Sequence, residues 1–265
     1  MENRCIVFSI KWVNVHSLRD NEHYHMLLHS LRSIRKHSDI DIVVYTDPID
    51  LLLEDEHLRE IAGIQLMEFD SSKFKVEGDP WLWEWSEVVL HKWPNCVDLL
   101  LNHRYDRVFF SDPDVHFYQD PNRIFDAYTD PSKVYIKRED WGAVKGFNDG
   151  TFILSREVAE KLVDYMTLYP PIREKMIADY RESKKFDPAK LKQFRWVTYQ
   201  HATRYMFDEL GIEVEWLDKR YVRKMDDEPG ENWVDEFVTD DLVAVHYYRH
   251  HARRFVPYFK YRQKL

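Results

Sequence analysis

Glycine is scarce in this chain, 7 residues in 265. So few exclude collagen-like repeats and long flexible linkers. No Gly-rich dinucleotide fingerprint or P-loop pattern occurs, so phosphate binding through such a loop is ruled out. Cysteine is scarcer still: Cys5 and Cys96 cannot build a disulfide framework, which is compatible with a reducing compartment. No stretch reaches the roughly 18 consecutive apolar residues of a membrane-spanning helix. The apolar run at Cys5–Ile10 is too short for a secretory signal. A soluble, cytoplasmic protein is therefore expected, of bacterial or viral origin rather than from the Golgi. Basic residues are outnumbered, 38 against 47 acidic, for a net charge of −9, which argues against general nucleic-acid binding. What is abundant is core material. Hydrophobic residues make up 44% and aromatics 15%, which excludes disorder and suffices for one large domain or two small ones.

The order of segments predicts an α/β sheet. Residues 5–10 read as a buried strand, 21–37 as an amphipathic helix, 40–48 as a strand stopped at Pro48, 51–62 as a helix ended by Gly63, and 64–69 as a strand. Strands alternating with helices imply parallel pairing through right-handed crossovers. A helix from about Trp83 to Asn102 follows, then the strand Arg107–Phe110. Strands are expected at 133–137, 150–155, 212–217 and 242–248. Helices are expected at 155–169, capped by Ser155 and closed by Pro170 and Pro171, and at 197–210. The charged stretch 171–196 reads as an inserted surface helix or lid. The last 24 residues carry six cations and no acid, which leaves −15 on the remainder.

The strongest chemical signal follows Arg107–Phe110. There Asp112 and Asp114 flank Pro113 at a strand end, where open α/β sheets bind ligands. Two carboxylates one residue apart suit a hard divalent cation, although Asp and Pro also make ordinary turns. His246, on a late apolar strand, is either a third ligand or a hydrogen-bonded core histidine. Asn148 and Asp149 can line a site, or with Gly150 form a plain turn before a strand. Gln200 can be an exposed polar residue at a helix start, and Trp12 a core residue. Trp81, Trp83 and Trp85 could stack on sugar rings or serve as core or interface.

The segment 105–125, YDRVFFSDPDVHFYQDPNRIF, resembles the DxD segment of GT-A-fold, nucleotide-sugar-dependent glycosyltransferases, in particular the retaining glycogenin-like and galactosyltransferase-like group. Residues 146–166 resemble that family's FN(A/S)G strand and helix, Gln200 its DQ helix start, and 244–255 its late histidine motif. The matches occur in family order across roughly residues 5–255. Departures are clear: Tyr199 stands where the family has a carboxylate, and the late motif lacks its glycine and KPW.

The resemblance implies one GT-A-like domain over 1–265, a Rossmann-like, mostly parallel twisted sheet with helices on both faces. Its nucleotide-binding part would be about 1–120, its acceptor part about 121–245, and its basic tail 246–265. It implies a metal (Mn²⁺, or Mg²⁺) on Asp112, Asp114 and His246, with the imidazole favouring Mn²⁺. The donor would be a UDP-sugar, UDP-glucose or UDP-galactose, used with retention of configuration. Gln200, Asn148 and Asp149 would line the donor sugar. Ser9, Ile10, Lys11, Lys92, Asp112, Pro113, Arg249 and Arg253 would contact the donor, Lys92 lying about one turn further from Asp112 than the family pattern leads us to expect. A glycan or glycoprotein would accept the sugar; no nucleic-acid partner is implied, and a homodimer stays open. Two other readings compete: a non-catalytic nucleotide-sugar or carbohydrate-binding protein on the same scaffold, and a peripheral nucleic-acid or membrane-surface protein acting through the basic tail, against which the net charge of the whole chain argues. The tail itself could be a frayed, solvated C-terminus.

Overall fold

The computed structural model of the chain describes residues 2–12, 15, 17–74, 90–141, 144–182, 195–224 and 240–247. Strand β1 (Arg4–Lys11) alternates its buried side chains between two cores. Cys5 and Val7 enter one, and Ile6, Phe8 and Ile10 the other. Period-2 alternation with apolar residues on both faces marks a sheet covered on both sides. Helix α1 (Glu22–Arg35) covers one of them with Tyr24, Leu27, Leu28, Leu31 and Ile34. Asn21 caps it, accepting from the backbone N–H groups of His23 and Tyr24 at 2.9 and 3.2 Å.

Strands β2 (Asp41–Asp47) and β3 (Ile64–Glu68) extend the sheet outward from β1 in parallel. The segment expected to be one helix at 51–62 is instead two short ones, α2 (Asp50–Leu53) and α3 (Glu56–Arg59). Asp55 breaks it: its carboxylate accepts from the Leu58 N–H at 2.8 Å and starts a new N-terminus. Helix α4 (Lys92–Asn102) then crosses to the other side of β1, where β4 (Arg107–Ser111) pairs in parallel. The start of the helix expected from Trp83 lies outside the described residues. β1 is thus the point at which the chain reverses its direction of growth across the sheet, and in open α/β sheets ligands bind at the carboxyl ends of the strands beside such a point.

After β5 (Val115–Phe117) and α5 (Asn122–Ala127), β6 (Lys133–Trp141) and β7 (Val144–Ser155) pair antiparallel, and β7 also pairs antiparallel with β4. With β8 (Glu213–Trp216) the main sheet runs β3-β2-β1-β4-β7-β6-β8. Only β7 opposes the others, so the expected mostly parallel sheet is present. Ser155 caps α6 (Arg156–Lys161) as expected, but that helix ends early, and α7 (Tyr165–Glu182) runs straight through Pro170 and Pro171. Both prolines face solvent, where water can satisfy the carbonyls they leave unpaired. Tyr165 and Tyr169 anchor the opposite face in the core. Helix α8 (Arg195–Glu209) packs against α7 and β7. The late strand shrinks to β10 (Ala244–His246) and leaves the main sheet for a small one, ordered β5-β10-β9, with β9 (Val222–Lys224). Among the described residues, no helix is long and apolar enough to cross a membrane.

Candidate metal and donor site

β4 delivers the two aspartates through a turn. Ser111 is fully buried, the Asp112 N–H donates to the Gly150 carbonyl at 2.7 Å, and the Val115 N–H donates to the Asp112 carbonyl at 3.2 Å. Turn and site readings are therefore compatible: the turn aims both carboxylates inward. The Tyr247 N–H donates to the Asp114 carbonyl at 2.9 Å, and β10 pairs with β5 so that His246 stands opposite Val115. The small sheet exists to bring His246 here. Its Nε2 is 3.0 Å from Asp114 Oδ1 and 3.9 Å from Asp112 Oδ2. One ligand atom from each of the three lies within 4.8 Å of the others.

Lys92, the first residue of α4, places Nζ 2.8 Å from Asp112 Oδ1 and 3.8 Å from Asp149 Oδ1, over the Phe110 ring. Burial alone would lower its pKa, but Asp112 and Asp149 outweigh that and hold the ammonium above its ordinary value. Burial pushes Asp112 above the usual carboxylate range despite Lys92 and His246. For Asp114 burial also pushes upward, but the charge and hydrogen bond of His246 prevail and its pKa is lowered. Three carboxylates, those of Asp112, Asp114 and Asp149, face one ammonium and one imidazole. Such a site is short of positive charge, and its oxygen and imidazole donors suit a divalent metal.

Behind this cluster, Gln200 on α8 donates from Nε2 to Asp149 Oδ1 at 3.1 Å. A carboxylate only accepts, so the Gln200 carbonyl oxygen must turn away from Asp149. Asn148, also buried, accepts from the Gly150 N–H through Oδ1 at 2.7 Å. At the end of β1, Ser9 accepts from Asn95 of α4 at 2.8 Å, tying strand to helix beside the site. The Ile10 side chain belongs to the core, so only its backbone can meet a ligand. Lys11 is half-buried, as is Pro113. Trp12 is a core residue whose indole N–H donates to Thr46. Trp81, Trp83, Trp85, Arg249, Arg253 and the rest of the tail beyond Tyr247 lie outside the described residues.

Gly150 carries a role that sequence reasoning did not assign. A Cβ there would lie 2.4 Å from His246 Cε1 and 2.6 Å from Asp112 Oδ2. The signal was a glycine inside a strand of a glycine-poor chain, which often marks a close approach.

No protein-family model matches the sequence, and no curated protein matches it significantly. Solved structures do match. The galactosyltransferase LgtC, in complex with donor and acceptor sugar analogs, aligns over 98% of this chain and 100% of its own with TM-score 0.55 at 12% identity. Mouse xyloside xylosyltransferase 1 aligns over 93% of this chain and 98% of its own with TM-score 0.54 at 12% identity. The bifunctional glycosyltransferase WbbM aligns over 99% of this chain and 51% of its own with TM-score 0.53 at 11% identity. The chain has the fold of these proteins, the GT-A fold.

Proposed function

We propose that this protein is a metal-dependent glycosyltransferase that moves a hexose from a UDP-sugar, glucose or galactose, to a glycan or glycoprotein acceptor with retention of configuration. The observation that carries the reading is the Asp112, Asp114 and His246 cluster at the point where a GT-A sheet reverses its strand order. Glycosyltransferases of the same fold over nearly the whole chain support it. Asp112, Asp114 and His246 would hold the cation, Mn²⁺ by preference. A divalent ion bound there acts as a Lewis acid on the departing diphosphate.

The chain's own residues would do the rest. Lys92 opposes the upward push of burial on Asp112 and holds its carboxylate in place, and its ammonium would add positive potential beside the leaving group. The backbone at Ser9, Ile10 and Lys11 closes β1 at its carboxyl end, where a base and ribose would lie. Asn148 and Gln200 offer amides to the sugar. The Gln200 carbonyl, turned from Asp149, is an uncharged acceptor for the face of the sugar opposite the diphosphate. That arrangement favours retention, because inversion calls for a general base on the acceptor hydroxyl. Arg249 and Arg253 follow His246 closely in sequence, and their guanidinium groups match phosphate oxygens.

Calorimetry of UDP binding with Mn²⁺ tests this reading. Asp114→Ala should abolish Mn²⁺-dependent UDP binding while the protein stays folded; binding equal to the parent's would sink the metal assignment. Tyr199 in place of the family's carboxylate favours a second reading, a non-catalytic nucleotide-sugar binder. Slow Mn²⁺-dependent release of free sugar from UDP-sugar distinguishes the two, since only an enzyme shows it.

A further inference from the structure

Away from the metal cluster, a groove runs between one face of α4 and the turn that joins α6 to α7, with a volume of about 240 Å³. Pockets that enclose a small-molecule ligand measure about 300–1,000 Å³, so this one is small for a nucleotide sugar and suits one or two large side chains. Val97, Leu101 and Met166 line it. Val163 stands beside them 60% exposed, the most exposed large hydrophobic among the described residues. An open valine in an apolar groove marks a surface that another segment can cover. Asp98 and Asp164 complete the lining; among its described residues two are acids and none is a base. The occupant should therefore bring large apolar side chains and cations together.

Residues 254–265 of this chain have that composition. Phe255, Tyr258, Phe259 and Tyr261 are interleaved with Arg254, Lys260, Arg262 and Lys264, and no acid intervenes. The stretches 75–89 and 225–239, likewise outside the described residues, are net acidic and would be repelled. Position agrees with charge. The Tyr247 N–H donates to the Asp114 carbonyl, and Lys92 at the start of α4 reaches Asp112, so Tyr247 stands near the first turn of α4. The six residues 248–253 can span up to about 20 Å, more than the roughly 16 Å length of α4. A tether also makes the encounter intramolecular, at an effective concentration of millimolar order.

We propose that residues 254–265 dock in the groove between α4 and the α6–α7 turn, their aromatic side chains against Val97, Leu101, Val163 and Met166 and their cations toward Asp98 and Asp164. The tail then straps α4, the helix whose first residue holds Asp112, and leaves 248–253 between groove and cluster. Docking of this kind needs neither metal nor nucleotide and stands apart from the glycosyltransferase reading.

Photo-cross-linking of the full chain tests it, with p-benzoylphenylalanine in place of Phe259 and adducts mapped by mass spectrometry. Adducts should fall chiefly on residues 94–102 and 162–167. Val163→Lys, at an exposed position, should lower their yield about fivefold or more, the scale on which loss of an interface anchor acts, and leave the thermal midpoint unchanged. Lys260→Glu with Arg262→Glu should lower the yield likewise without touching the groove's own packing. Salt should act in the same direction, since at about 1 M it shortens the Debye length to about 3 Å. A mixture of isotopically heavy and light chains identifies the partner. Adducts within one isotope support the proposal, whereas hybrid adducts at their statistical share would give the groove to a second copy and overturn it. Adducts concentrated elsewhere, on 183–194 for example, would overturn it too, as would a yield that neither set of substitutions moves. Adducts that form only with the lipid of added anionic vesicles would assign the tail to a membrane surface instead.

Discussion

Gly150 sits where a methyl group cannot be placed without moving the Asp112 and His246 side chains. Besides His246 and Asp112, the Asn148 amide oxygen would lie 2.7 Å from its Cβ. His246 is buried and held from both sides by the small sheet, so it cannot swing away. Gly150→Ala should therefore destabilise the protein by about 1–3 kcal/mol, the range for overpacking a tight interior. Under the proposed metal reading it should also weaken Mn²⁺ binding about tenfold or more, as changes that misorient ligands do. Calorimetric titration with Mn²⁺ checks this, and unchanged affinity at a lowered midpoint would mean that the cluster tolerates the shift. At this scale the sequence named most of the partners but not their geometry. Asp112 and Asp114 stood out because a strand ran directly into them. Gly150 did not, because a glycine's role depends on what approaches it from elsewhere in the chain.

Among the elements, α6 shows how local chemistry sets a boundary. Ser155 accepts from the Val158 N–H at 3.2 Å and donates to the Pro131 carbonyl, so one hydroxyl both caps the helix and ties β7 to the loop before β6. Ser155→Ala should cost about 1 kcal/mol, rising toward 2 because the hydrogen bond to the Pro131 carbonyl is lost as well. Urea denaturation measures it, and a loss below 0.5 kcal/mol, on the order of an ordinary surface substitution, would mean that the cap is idle. The N-cap at Ser155 was legible because capping is a contact between neighbours in sequence. The course of α7 through Pro170 and Pro171 was not. Proline's cost in a helix is fixed locally, but the burial of Tyr165 and Tyr169 that offsets it comes from the rest of the molecule.

Over the whole molecule, two histidines couple stability to pH. His29 of α1 stacks on His116 of β5 with ring centroids 4.6 Å apart. Burial, then Arg32, lowers the His29 pKa. Burial, then His29, His37 and Lys36, lowers that of His116 to about 3. Both rings are neutral in the folded state at neutral pH, whereas the unfolded chain protonates them near pH 6.5. The unfolded state therefore binds more protons below that value. The contribution is complete above about pH 6.5 and is lost as pH falls toward the folded value, at about 1.4 kcal/mol per unit for each ring. Between pH 7 and 5, His116 should account for about 2 kcal/mol of lost stability. Urea unfolding at the two pH values, with His116→Phe alongside, tests it; the variant should flatten the dependence, and an equal slope in both proteins would locate the proton uptake elsewhere.

The sequence by itself determined the strands and helices of the first 70 residues in outline, the covered sheet they imply, and the strand that ends in Asp112 and Asp114. These features are written in side-chain periodicity and in contacts a few residues long, which any segment carries with it. Tertiary structure alone decided that Lys92 reaches Asp112, that His246 arrives on a separate three-stranded sheet, and that Asp149 meets Gln200 from 51 residues away. Such outcomes depend on how loops close and which faces are buried together. That is a property of the folded chain, because a buried carboxylate is tolerated only where partners from other elements converge on it.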